Sequence, residues 1–382
     1  IKGVGASTAA ITVNNTDGSC TANITNNLSN RRLTINGAMT ISQRGTSSTS
    51  DAYLLDRFHT SASSNDESPT YAQVDVASGT TPYSLGFRKA LKITNGNQTS
   101  GAQAGSYVAI YTPQEAQNIA NSGWNYTSSS SNITFSFWVK ASVSKTYYFY
   151  FKTPDGSAYL YPMETGVLTA DTWTKVTKTI PGNSNITINN DNGVGIEILI
   201  WPYIGTNYTN SGVTLNTWQS YSGTARVPDD ATSWFTTNDA TFEITGVQLE
   251  VGDHATDFEF LSHADELRRC KRYYRILQDA SGGACYMGAV AYNYDVNSVV
   301  VQVNFEEEMR TTPTLDNTSG SGYYRFYRNS GYVDINAFNA INGMNKYGGG
   351  FNNSDSGNGT AGQTGAVILN NTAAKLAFDA EL

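Results

Sequence analysis

The run NITFSFWVKAS, residues 132–142, alternates so regularly that it restricts what the chain can become. Ile133, Phe135, Phe137 and Val139 fall on one side, with Thr134, Ser136, Trp138 and Lys140 on the other. Helical spacing would scatter these residues, so the run is a strand with one face turned to a core. TYYFYFKTPDG, TWTKVTKTIPG, VGIEILIWPYIG and ATFEITGVQLEVG repeat the pattern, and PDG and PGN mark turns between them. Successive strands without βαβ alternation predict an all-β sandwich or jelly roll.

Composition agrees. Charged residues are only 15 % of the chain and aromatics 12 %, with 24 Tyr, a balance suited to pleated, half-buried surfaces. The 24 basic and 32 acidic residues leave a net charge of −8, which argues against nucleic acid as a partner. Cys20, Cys270 and Cys285 are too few and too scattered for a disulfide framework and read as free thiols, compatible with assembly in a reducing cytoplasm. The opening IKGVGASTAA lacks a signal-peptide pattern, and no window approaches the roughly 18 apolar residues of a membrane span. A soluble chain is expected, with no membrane insertion.

The chain divides into four segments. Residues 1–33 contain AAITVNN and CTANITNN, too short to bury a core, and are expected to be an N-terminal attachment segment covered by a partner chain or the next domain. Residues 34–260 carry the strand-rich jelly roll, with one short helix expected at PQEAQNIANSG and Pro113 in its first turn. Residues 261–281 hold a linking helix over 263–278, where Leu267, Cys270, Tyr274 and Leu277 share a stripe. Residues 282–382 form a smaller β domain, in which Gly348 to Gly365 reads as a flexible loop.

Particular runs carry a family resemblance. LTINGAMTISQRGTSS followed by LLDRF resembles the start of a module in tail-fibre and other virion appendage proteins of marine and cyanobacterial tailed phages. VQLEVGDHATDFEFLSHADELRRCKRYYRI resembles the end of that module, a QLE-G-ATxFE strand leading to a helix with an RCxRYY signature. EEMRTTPTL and FDAEL resemble the C-terminal portion usually found after that helix. The resemblance implies a carbohydrate-binding-module-like jelly roll, a linking helix and a terminal β domain, usually in a homotrimer. It also implies a place on the virion surface, attachment to other virion proteins through the N-terminal segment, and adhesion to host glycans.

Sugar faces need aromatic rings for C–H stacking, with polar groups beside them for the hydroxyls. Trp201 and Tyr203 in EILIWPYIG are expected on one strand face opposite Ile196, Ile198 and Ile200, and Trp138 and Lys140 project likewise. Tyr324 and Tyr327 belong to a second aromatic cluster, completed by Tyr323, Phe326 and Tyr332. These five, Trp201, Tyr203, Trp138, Tyr324 and Tyr327, are the glycan-binding candidates, and the competing reading of each is core or interface packing. Trp173 is expected in the core, and Trp218 and Trp234 are expected to be structural.

No G-x-S-x-G or H-E-x-x-H motif is present, and the carboxylate neighbours Asp229-Asp230 and Glu306–Glu308 read as ordinary turns and edges rather than a glycosidase pair. No catalytic residue, cofactor or metal is expected, although Asp155, Asp191 and Asp253 lie in turns that could offer calcium ligands. The alternative to an adhesin is a purely architectural virion protein, a capsid decoration or tail connector, in which the same aromatics bury subunit contacts.

Overall fold

The computed structural model describes the backbone of residues 11–13, 20–22, 31–354 and 359–382, with side chains for 31–339, 343–354 and 359–382. The alternating runs become two antiparallel sheets that face each other. One has seven strands in the order Gln219–Ser220, Tyr159–Val167, Thr146–Thr153, Val194–Ile204, Tyr107–Glu115, Phe58–Ser63, Ala52–Leu55. The other has six, in the order Thr174–Pro181, Asn132–Ala141, Thr241–Val251, Lys89–Thr94, Thr70–Asp75, Ser47–Ser48. Neighbours that are distant in sequence make this a jelly-roll β-sandwich. Its core is aromatic: Phe135 and Phe137 from one sheet meet Phe149 and Phe151 from the other, with ring centres 5.2 to 6.0 Å apart.

The strand Thr174–Pro181 is an open edge. Val176 and Ile180 enter the core, and Lys178 shares their face, so a charge sits among apolar neighbours at the rim. An inward-facing lysine of this kind, with Pro181 at the strand end, hinders pairing with another chain.

Ile11–Val13 pairs antiparallel with Cys20–Ala22. The remainder of the expected attachment segment lies outside the described residues.

Three expectations change. The linking helix is His263–Lys271, capped by the Ser262 side chain accepting from the Asp265 amide. It stops early because Tyr274–Asp279 is a strand, paired with Lys375–Asp379 in a three-stranded sheet with Thr314–Asn317. Cross-strand pairing overrides the helical spacing of Tyr274 and Leu277. Similarly, Pro113 lies inside the strand Tyr107–Glu115, and the short helix is Ala116–Ala120. The glycine run is a loop only in part, since Gly365 lies in the strand Thr364–Leu369 and Gly348–Asn353 pairs with both Val299–Asn304 and Ala340–Asn345. At Gly349 the backbone has φ +151°, and a Cβ would stand 2.5 Å from the Met344 Cα, so glycine is what lets these strands approach. Residues 355–358 lie outside the described residues.

The C-terminal unit packs its three-stranded sheet and a larger sheet around Phe326, Phe338, Phe351 and Phe378. Among the described residues no helix is long and apolar enough to cross a membrane. Cys270 is buried and Cys285 half-buried, both as free thiols.

Candidate glycan-binding groove

On the strand Val194–Ile204, Ile196, Ile198 and Ile200 enter the core, so Glu197, Leu199 and Trp201 face outward. The register with Tyr107–Glu115 then shifts between Ile200 and Tyr203. This bulge inserts an extra residue at Pro202 and returns Tyr203 to the core, where its ring lies 4.8 Å from Phe235. Trp201 and Tyr203 therefore occupy opposite faces, contrary to the simple alternation.

Neighbouring strands align with Trp201. Tyr150, Leu199, Tyr111 and His59 form one row across four strands, and Tyr148 is paired to Trp201 in the next, with Ala109 and Ser61 beyond the bulge. The segment 205–230 folds back over this outer face, joined to itself by a bridge between Thr209 and Val227 and by the Arg226 amide donating to the Tyr208 carbonyl at 2.8 Å. Between this segment and the sheet runs a cavity of about 330 Å³, lined by His59, Ser61, Tyr107, Tyr111, Trp201, Tyr208 and Arg226 among others. That volume is within the range of small-molecule sites.

The walls are rings set edge to face. Tyr107 stands 5.6 Å from Trp201 and 5.8 Å from Tyr208, both T-shaped, and the Arg226 guanidinium lies 4.6 Å over Tyr208. Trp201 is 2 % exposed, and its indole Nε1 has no hydrogen-bond partner. Burial pushes the His59 imidazole below its ordinary range.

One buried ion pair anchors the covering segment. Lys145 Nζ donates to Asp230 Oδ1 at 2.6 Å and to the Ala231 carbonyl at 2.9 Å, and its charge lies 4.8 Å over the Tyr147 ring. Burial pushes the Asp230 carboxyl up to about 6, with Lys145 pulling it down less strongly. Asp229 accepts from Thr209 Oγ1 at 2.9 Å, so both members of this acidic pair hold the fold.

The other candidates lie elsewhere. Trp138 faces outward on the six-stranded sheet as expected, but with Trp173 and Phe258 it packs against a buried cluster that contains Phe87. Trp173 thus belongs to an outer cluster rather than the core, with the Lys140 amine 5.3 Å over its ring. Trp218 and Trp234 are structural, their indoles donating to the carbonyls of Pro181 at 2.7 Å and Thr241 at 3.0 Å. Tyr324 is a core residue: it alternates inward with Phe326, and its hydroxyl donates to the Thr318 carbonyl at 2.7 Å. Tyr327 alternates outward and rests on Tyr332, with ring centres 5.3 Å apart.

Tyr107, Tyr111, Tyr208, Arg226 and His59 complete the groove and lie outside the five sequence candidates. The alternation of GSYVAIYTP, with Val108 and Ile110 inward, was the available signal for Tyr107 and Tyr111. Tyr208 and Arg226 come from irregular chain and had none.

The Glu306–Glu308 run is engaged by cations: Arg275 reaches Glu306 at 2.9 Å and Lys346 reaches Glu308 at 2.6 Å. Asp155 accepts from the Asn189 side chain at 2.9 Å and Asp191 from the Gly193 amide at 2.9 Å. Among the described residues no group of three or more His, Cys, Asp or Glu side chains is placed to hold a metal.

No protein-family model matches this sequence. No curated protein matches it either. Solved structures give partial likenesses. The enzymatically active domain of tailspike protein 4 from bacteriophage CBA120 aligns over 58 % of this chain and 22 % of its own, at 8 % identity and a TM-score of 0.31. This chain thus spans about a fifth of that tailspike chain. A putative sugar-binding protein from Bacteroides thetaiotaomicron aligns over 58 % of this chain and 100 % of its own, at 10 % identity and a TM-score of 0.31. The tandem CBM22-1–CBM22-2 domain of Paenibacillus barcinonensis Xyn10C aligns over 92 % of this chain and 90 % of its own, at 10 % identity and a TM-score of 0.27. Scores this small assign neither ligand nor role here, and the fold class rests on the strand order itself.

Proposed function

We propose that the chain is a non-enzymatic subunit of a bacteriophage appendage, a tail fibre or related structure, that adheres to host-surface glycans through the groove under residues 205–230. The observation that carries the glycan reading is the cavity itself, walled by the rings of Trp201, Tyr107 and Tyr208 with the Arg226 guanidinium beside them. Rings and polar groups set together in one cavity are what a sugar ring and its hydroxyls require. The resemblance of the QLE-G-ATxFE and RCxRYY runs supports the virion setting. Homotrimerisation, attachment through the N-terminal segment, assembly in the host cytoplasm and display on the particle surface belong to the same proposal. Weak single contacts would then be multiplied by copy number. The engagement of Asp230, Glu306 and Glu308 in ion pairs supports the non-enzymatic part.

A purely architectural role is favoured by a different observation. Tyr286, Val290, Tyr294, Val296, Tyr332 and Tyr347 of the C-terminal unit are each more than half exposed, and such side chains suit burial between subunits. Host-cell binding and light scattering of Tyr208→Ala and Tyr332→Ala separate the two. Loss of cell binding in Tyr208→Ala at unchanged mass supports the adhesin. Cell binding unaffected by Tyr208→Ala, with Tyr332→Ala dissociating an oligomer, supports architecture.

A further inference from the structure

Arg226 is the one side chain of fixed charge among the residues that line the groove. A guanidinium can only donate. Ser61, His59 and the tyrosine hydroxyls can do either. Among the described residues no Asp, Glu, Asn or Gln side chain lines the cavity. Glu197, one row away, is tied to Lys152 at 3.0 Å, and the Lys152 amine lies 4.7 Å over Tyr221 of the covering segment. A chain of net charge −8 thus presents a fixed positive charge here and no carboxylate in the cavity lining.

Neutral sugars offer a guanidinium only uncharged hydroxyl oxygens. Carboxylate- or sulfate-bearing sugars bring extra acceptors and a charge, which a planar guanidinium matches with paired N–H groups. Arg226 is held for this: its Nε donates to the Gly223 carbonyl at 3.1 Å and its plane covers Tyr208.

We propose that the groove selects glycans carrying a carboxylate or sulfate, with Arg226 holding the anionic group and Trp201, Tyr107 and Tyr208 walling the sugar ring. This rests on the glycan-binding reading above and narrows it to acidic sugars.

The test is an array of immobilised neutral, uronate-containing and sulfated glycans, followed by titration of the intact chain with the best-bound oligosaccharide. The uronate and sulfate spots distinguish the two sources of charge. Expected are binding to one or both acidic sets, weakening as NaCl rises from about 0.05 to about 0.5 M, and a loss of about ten- to a hundredfold in Arg226→Gln. Arg226→Lys should recover part of that loss, and unchanged melting temperatures verify that both variants fold. Binding to neutral glycans as tight as to acidic ones, and indifferent to Arg226→Gln, would overturn the acidic selection while keeping a glycan groove. Binding to none of the three sets would overturn both.

Discussion

The Arg57 guanidinium lies 3.6 Å from the centre of the Tyr273 ring, joining the sandwich to the C-terminal unit. Arg57 occupies the turn of the LLDRF hairpin at φ +72°, a strained position for a residue with a side chain. It is buried, donates to the Pro113 carbonyl at 2.6 Å, and pairs with Glu381. Arg44 repeats the arrangement one residue on, 3.5 Å over the Tyr274 ring and 3.3 Å from the same Glu381. Tyr273 and Arg272 both donate to Glu115, the hydroxyl at 2.8 Å and the guanidinium at 2.6 Å. Each tyrosine of the RYY run is therefore covered by an arginine of the sandwich, and one glutamate of FDAEL serves both.

Removing that glutamate strands a buried cation. Glu381→Ala is expected to cost about 3–5 kcal/mol and to separate the melting of the C-terminal unit from that of the sandwich. Calorimetry reads this directly, and one unshifted transition would count against the joint.

Asp56 lies beneath the same joint, and burial pushes its carboxyl up to about 6 despite hydrogen bonds from Gln43. The unfolded chain releases this proton near pH 4 while the folded chain keeps it to about 6. Its contribution to stability is thus full below about pH 4 and is lost as pH rises through about 6. Relative to Asp56→Asn, the wild type should lose about 2–3 kcal/mol between pH 4 and 7, measured by urea unfolding at each pH. A gap independent of pH would mean that the folded carboxyl ionises normally.

Gly349→Ala places a Cβ against Met344 on a backbone at positive φ. A loss of about 2–4 kcal/mol, confined to the C-terminal unit, is expected in thermal melts. Tolerance of alanine would show that the paired strands can part.

Tyr324→Phe removes one buried hydroxyl bond and should cost about 1 kcal/mol without changing glycan or cell binding. A binding defect at full stability would move the site to the C-terminal unit.

Alternation made the sandwich legible, since Phe135, Phe137 and Val139 needed only a period of two to be placed. Where geometry departs from that period, sequence misleads: the bulge at Pro202 turned Tyr203 inward, and strand pairing cut the helix short before Tyr274. The resemblance runs proved to be joints. In QLE-G-ATxFE, Gln248 donates to Glu250 at 2.9 Å and accepts from the Glu259 amide at 2.9 Å, while Glu250 accepts from Thr256 Oγ1 at 2.6 Å. In INGAM, the Asn36 side chain donates to the carbonyls of Ile41 at 2.8 Å and Asp56 at 2.9 Å. Such residues bind the chain to itself, so their spacing signals architecture. The groove, assembled from three strands and an irregular segment, leaves no comparable signature.

Lys178 at the open rim has a meaning beyond one molecule. Wherever many copies of this chain are crowded together, an uncharged rim would let neighbouring sandwiches zip edge to edge into continuous sheets. A single ammonium among apolar side chains keeps the open edges of neighbouring copies from pairing.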